Sequence, residues 1–242
     1  MEKSELRGVV DLVLSAPPKD DDYATLIGDY IDWTIRVFNG YDKILKPDGC
    51  ILYVLTYSAN NPQLLWTLIS KIIENTNFTT VDCITWKKSH SLPGKHMKNR
   101  LSRMTEFVFV FCRKNETKTF HINNKIIIDE DGNERVVYEN IYNFIEAENN
   151  DGLNKLNPYA FSTELVVKLL NMYGKKGGLV YDSFMGIGTT ANGAKKFGMN
   201  YIGSEIKISQ VEYANTRLHE VIITDNKLPN VIEISEDDDF WK

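Results

Sequence analysis

Three cysteines are all that the 242 residues contain. Cys50, Cys83 and Cys112 each sit inside an apolar run and show no metal-ligand spacing. They read as buried thiols of a reducing compartment rather than a disulfide framework. The four histidines are scattered, so no metal site is proposed. No apolar stretch approaches the roughly 20 residues that cross a bilayer, and the opening MEKSELRG lacks the apolar core of a signal peptide. The expectation is therefore no membrane partner and no secretion. Internal repeats are absent as well.

Positive charge is in short supply overall, with 28 Lys and Arg against 33 Asp and Glu and a net charge of −5. The shortfall is local. Val231 to Lys242 carries five acids and one lysine, an acidic tail over 231–242 that leaves the remainder close to neutral. Between Lys87 and Arg103 there are six Lys or Arg, two histidines and no acid. Such a run (Lys87, Lys88, Lys95, His96, Lys98, Arg100, Arg103) can hold a phosphate backbone even on an acidic protein. A solvated surface loop has the same composition.

What is present is enough apolar material for one substantial core, 43% of residues, most simply a single domain over 1–230. Val10 to Ser15 is a short apolar strand broken by Ala16-Pro17-Pro18-Lys19. The two prolines remove backbone donors and make a rigid corner at the strand's C-terminal end. A helical pattern follows from Asp20, with Ile27, Ile31, Ile35 and Phe38 on one face. Lys46-Pro47-Asp48-Gly49 is a turn, and Cys50 to Thr56 a buried strand. Pro62 opens a helix with Leu64, Leu65, Leu68, Ile69 and Ile72 inward. Phe78 to Trp86 and Glu106 to Phe111 are strands. Residues 113–156 are polar and too long for an ordinary connection, and so read as a small insertion or recognition region. Ser162 is an N-cap for a helix carrying Leu165, Val166, Leu169 and Leu170. A last helix runs from about Ile208 to Val221. Alternating strands and helices predict an α/β fold, a mostly parallel sheet with helices on both faces.

The most informative stretch is Leu179 to Glu205. A buried strand ends at Asp182, Gly186 and Gly188 make a turn, and Thr189 and Thr190 start an amphipathic helix. A second strand, Asn200 to Gly203, leads to Glu205. Strand, glycine turn, helix and strand with a terminal carboxylate can build a nucleoside site: glycines admit close approach, the helix start offers N–H groups, and the carboxylate accepts from ribose hydroxyls. A plain tight turn would show the same glycine spacing. The incomplete G-x-G-x-x-G speaks against a dinucleotide.

Asp182-Ser-Phe-Met-Gly-Ile-Gly-Thr-Thr190 closely resembles the Asp-Pro-Phe-x-Gly-x-Gly-Thr-Thr motif of DNA amino-methyltransferases, which act on adenine N6 or cytosine N4. Further segments fit that family in its permuted order, with the catalytic loop first. Val10 to Lys19 resembles the strand and loop ending in (Asp/Asn/Ser)-Pro-Pro-aromatic, and Lys46 to Gly49 the Leu-Lys-Pro-x-Gly turn. Trp86-Lys87-Lys88 with Pro93, Arg100 and Glu106 is similar to the loop that approaches DNA. Asn157-Pro158-Tyr159-Ala160-Phe161 is similar to the segment beside the methionine part of the cofactor.

The resemblance implies a Rossmann-like fold binding S-adenosyl-L-methionine, with a catalytic-loop half (8–112) and a cofactor half (157–225). It implies cofactor contacts from Asp182, Phe184, Gly186, Gly188, Thr189, Thr190, Glu205, Tyr159, Phe161 and Ser162. It implies a catalytic loop at Ala16, Pro17, Pro18 and Lys19, and double-stranded DNA as partner with the target base flipped. The place of action is then the cytoplasm, or wherever the DNA lies, and a recognition region this short favours a homodimer. The sequence departs from the family pattern twice: Ala16 stands where an Asp, Asn or Ser is usual, and Lys19 where an aromatic is usual. These changes point to an impaired or inactive enzyme. The alternative reading is a non-catalytic nucleic-acid-binding or structural protein on the same fold.

Overall fold

A computed structural model describes residues 7–18, 30–56, 61–90, 101–123, 125–137, 142–153 and 157–220. A seven-stranded sheet in the order β7-β3-β4-β2-β1-β8-β9 forms its centre. In chain order these are β1 (Val10–Ser15), β2 (Leu45–Leu55), β3 (Phe78–Lys88), β4 (Thr105–Arg113), β7 (Phe144–Ala147), β8 (Leu179–Asp182) and β9 (Asn200–Gly203). Strand β4 runs antiparallel to both β2 and β3, and the other pairings are parallel. A separate hairpin joins β5 (Lys125–Ile128) to β6 (Glu134–Val137).

The helices are α1 (Tyr30–Ile44), α2 (Leu64–Asn75), α3 (Thr163–Tyr173), α4 (Thr189–Phe197) and α5 (Ile208–Glu220). Alternation along β1 divides the core. Leu12 and Leu14 face α3, α4 and α5, while Val13 faces α1 and α2. Right-handed crossovers explain the two layers: β1 leads through α1 to β2 on one side and β8 leads through α4 to β9 on the other, so the helices fall on opposite faces. The chain reverses its direction of winding between β1 and β8, where open sheets of this kind hold ligands beyond the strand ends.

The expected face of α1 is rotated in the structure. Tyr30, Thr34, Val37, Phe38, Tyr41 and Ile44 are buried, whereas Ile31 and Ile35 are half-buried. Phe38 decides this, because its ring meets Tyr41, Tyr53, Phe78 and Phe111 at centroid distances between 5.0 and 5.9 Å. Residues 20–29 lie outside the described residues. The Lys46–Gly49 turn is present as a break within β2: Val10 pairs with Leu45, and pairing resumes at Leu12 with Cys50.

Within the stretch 113–156, the described residues are tied to the body of the fold at two places. His121 and Asn123 donate backbone N–H groups to the Asp48 and Met172 carbonyls, and the Asn123 side chain caps α3 through the Leu170, Asn171 and Gly174 carbonyls. These anchors lie where α3 ends and β8 begins, the end of the sheet away from the diproline corner. The segment then returns as β7 beside β3. Among the described residues no helix is long and apolar enough to cross a membrane.

Candidate functional site

Strands β1 and β8 are neighbours, with Val13 beside Tyr181, so the diproline corner and the glycine turn leave the sheet side by side. Ser15 Oγ donates to Asp182 Oδ1 at 2.6 Å. Thr190 Oγ1 donates to Asp182 Oδ2 at 2.5 Å, and the Phe184 N–H to Oδ1 at 3.0 Å. One carboxylate thus ties the end of β1, the turn and the first residues of α4 together. Asp182 is 2% exposed. Burial pushes its pKa up to about 6, against the pull of the Ser15, Thr190 and Phe184 donors. Ser15 belongs to the α1–α2 face, opposite Ala16, and cannot stand in for a side chain at 16. Next to it Ser183 shares hydrogen bonds with Ser15 at 3.2 Å and with the Tyr41 hydroxyl.

Gly186 and Gly188 both hold positive φ, 53° and 77°, which favours glycine. Their open side is used first by the protein. A Cβ on Gly188 would lie 2.9 Å from the Ala214 Cβ, and one on Gly186 2.9 Å from Asn157 Nδ2. Glu205 accepts from the Gly186 N–H and the Lys207 N–H, each at 2.9 Å and each on a different oxygen. Each oxygen keeps a lone pair. The Thr189 hydroxyl accepts from Arg217 Nη1 at 3.2 Å, and the same nitrogen reaches the Ile187 carbonyl at 3.3 Å. Arg217 also meets Thr163 Oγ1 at 3.1 Å and pairs with Asp151.

Among the other expected cofactor residues, Tyr159 is 60% exposed and Phe161 is buried against α3 and α4. Ser162 caps α3, accepting from the Leu165 N–H at 3.2 Å. Ala16 packs half-buried against the core, and Pro17 and Pro18 are half-buried. Lys87 pairs with Glu146 at 2.9 Å and Lys88 with Glu106 at 2.5 Å, so acids from β7 and β4 reach the basic run in space. Arg103 is exposed just before β4. Lys19, Lys95, His96, Lys98 and Arg100 lie outside the described residues.

Two residues that sequence reasoning passed over stand at the turn. Ile206 is 70% exposed immediately after Glu205, an apolar side chain next in the chain to that carboxylate; an aliphatic residue outside any strand was its only signal. Arg217 gave none, because a helical arginine is ordinary. Lone pairs for two hydroxyls, an exposed aliphatic side chain and a glycine turn at a helix start suit an adenosine, so the residues fit a nucleoside cofactor.

A Rossmann-like protein with a nucleoside-sized site at its switch point is the class that this sheet defines. The family model described as DNA methylase, of the N6/N4 type, matches residues 10–216. The chain belongs to that family. It is 24% identical to the orphan methyltransferase M.BamHII of Bacillus amyloliquefaciens, over 90% of this chain and 92% of that protein. It is 23% identical to the type II methyltransferase M.BglII of Bacillus subtilis, over 92% and 67% respectively. The fold is similar to that of the PvuII cytosine-N4-specific DNA methyltransferase, with a TM-score of 0.69 at 20% identity, covering 92% of this chain and 84% of that one. It is also similar to an S-adenosylmethionine complex of M1.HpyAVI, with a TM-score of 0.58 at 23% identity over 87% and 89%. The cofactor of the family is S-adenosyl-L-methionine.

Proposed function

We propose that this chain methylates the exocyclic amino group of adenine or cytosine in double-stranded DNA, on a base turned out of the stack. The observation that carries the reading is the Ser15–Asp182 hydrogen bond of 2.6 Å, which roots the diproline corner and the glycine turn in one place. Glu205 would take the ribose hydroxyls and Ile206 the purine face. Asp182, Phe184, Gly186, Gly188, Thr189 and Thr190 would shape the turn beneath, with Tyr159, Phe161 and Ser162 behind the methionine end. S-adenosyl-L-methionine supplies, when bound, a methyl group on a positively charged sulfur.

The work of the chain is positioning and electrostatics. An exocyclic amine is a poor nucleophile because its lone pair is delocalised into the ring. The Pro17 carbonyl accepts one of its hydrogens and draws the nitrogen toward a tetrahedral shape, which localises the lone pair on it. A second acceptor is what the side chain at 16 would add, and Ala16 adds none. The loss of one such group costs about 10²–10³ in rate, so turnover is slow.

Calorimetry with S-adenosylmethionine and its demethylated product tests the first half, and no binding to the cofactor-free chain sinks the reading. Transfer of a tritiated methyl group to unmodified double-stranded DNA tests the second. Ala16→Asp raises the rate by at least about tenfold; a rate that stays at the parent level removes the role given to position 16.

A further inference from the structure

The corner that carries Pro17 is held from a second side. The Tyr30 hydroxyl, at the start of α1, donates to the Pro18 carbonyl at 2.8 Å, and Tyr30 is only 8% exposed. Its ring lies 5.4 Å from that of Trp33 at 38°, and Trp33 lies 5.4 Å from Phe184 at 44°. The Phe184 N–H bonds Asp182, which takes the Ser15 hydroxyl at the foot of the corner. These contacts close a circuit: Pro18, Tyr30, Trp33, Phe184, Asp182, Ser15 and back through Ala16 and Pro17.

We infer that Tyr30 and Trp33 are positioning residues, which fix the distance between the diproline corner and the glycine turn and couple occupancy of one to the placement of the other. The inference rests on the proposed methyl transfer for its meaning. Its contacts stand without it. A carbonyl on a corner free to swing cannot hold an amino group in a reactive orientation, and a displacement of about 1 Å can cost 10²-fold in rate. Prolines stiffen the corner but do not aim it. The Tyr30 hydrogen bond aims it, and the Trp33–Phe184 contact refers that aim to the cofactor side. With no acceptor on Ala16, this is the part of the base-holding device that the chain retains.

Tyr30→Phe keeps the ring and deletes the hydrogen bond. It lowers the turnover of methyl transfer by about tenfold and leaves both the KM for the cofactor and its calorimetric affinity within about twofold. Trp33→Leu breaks the circuit in the middle and lowers both turnover and affinity. Parent-level turnover in Tyr30→Phe overturns the inference, and so does an equal loss of turnover and affinity.

A second readout decides the matter when turnover is too slow to measure. In protein labelled with 5-fluorotryptophan, the Trp33 fluorine line is identified by its loss in Trp33→Phe. Tyr30→Phe shifts that line, and so does saturating S-adenosylhomocysteine. A Trp33 line indifferent to Tyr30→Phe overturns the circuit whether or not the nucleoside binds. No calorimetric binding of S-adenosylhomocysteine by the parent chain sinks the proposed function instead.

Discussion

Two buried aspartates stand at opposite ends of the paired central strands and are treated in opposite ways. Asp11, at the start of β1, accepts the Lys46 ammonium on both oxygens at 2.9 Å, the Leu179 N–H at 2.9 Å, and faces Lys175 at 3.5 Å. Asp182, at the end of β8, receives among the described residues only hydroxyls and a backbone N–H. Burial raises both carboxyl pKa values. At Asp11 the Lys46 and Lys175 charges and the Leu179 N–H more than offset it, and the net shift is downward; at Asp182 burial wins. One end of the sheet is therefore clamped by charge. The other is polar and, among the described residues, holds no cation against its central carboxylate.

The comparison breaks most sharply at Asp182→Ala. Three buried donors lose their acceptor, each worth about 1–3 kcal/mol. A total loss near 4 kcal/mol is expected by urea unfolding, with cofactor affinity falling at least about tenfold. Asp11→Ala costs less, about 3 kcal/mol, the low end for a broken buried pair because the two lysines can turn to water. Its cofactor affinity stays at the parent level by calorimetry. Equal effects of the two changes on affinity would erase the distinction between the ends.

The pH dependence sharpens the same contrast. An aspartate titrates near 3.9 when unfolded, so the folded chain binds a proton at Asp182 that the unfolded chain has released. The stability due to this group is full below about pH 4 and is lost as the pH rises to about 6. Asp11 has the opposite sign: its contribution is present above the unfolded value and lost as the pH falls through its lowered folded value. Between pH 4.5 and 6.5 only Asp182 should act. The urea midpoint of the parent relative to Asp182→Asn therefore falls across that window, by on the order of 2 kcal/mol in stability. A flat difference would place the folded pKa near the ordinary one. The smallest effect is at the sheet edge, where Lys87→Ala removes an exposed pair with Glu146 and changes stability by less than about 0.5 kcal/mol. Its effect on DNA binding appears only as a shallower salt dependence.

Much of this architecture was legible in the chain because it rests on local period. β1, β3, β8, β9 and the helices from α2 onward lie where apolar spacing and caps put them, and Ser162 caps α3 as its hydroxyl and position imply. The direction of β4 was not legible, since Glu106 to Phe111 alternates the same way in either sense and only its partners decide. β7 is four residues long and is made a strand by the exposed edge of β3. At the site, Asp182, the two glycines and Glu205 were readable from their order. The basic run misled in one respect. Counting acids along the chain found none, but Glu106 and Glu146 arrive across the sheet beside Lys88 and Lys87. Charge neighbourhoods are set by pairing, which sequence distance does not measure. The circuit through Tyr30 and Trp33 was hidden because aromatic residues in a helix look like core.

The bond that joins corner to turn spans 167 positions of the chain. Of the two strands beside β8, β1 is made long before it and β9 just after it, so the glycine turn can meet the diproline corner only once residues 179–203 have been added. Until then β1 is the edge of the sheet, and a truncated product ending before β8 has a diproline corner with nothing to face. Such a fragment lacks Asp182, the two turn glycines and Glu205 together, and is expected to take up no methyl donor.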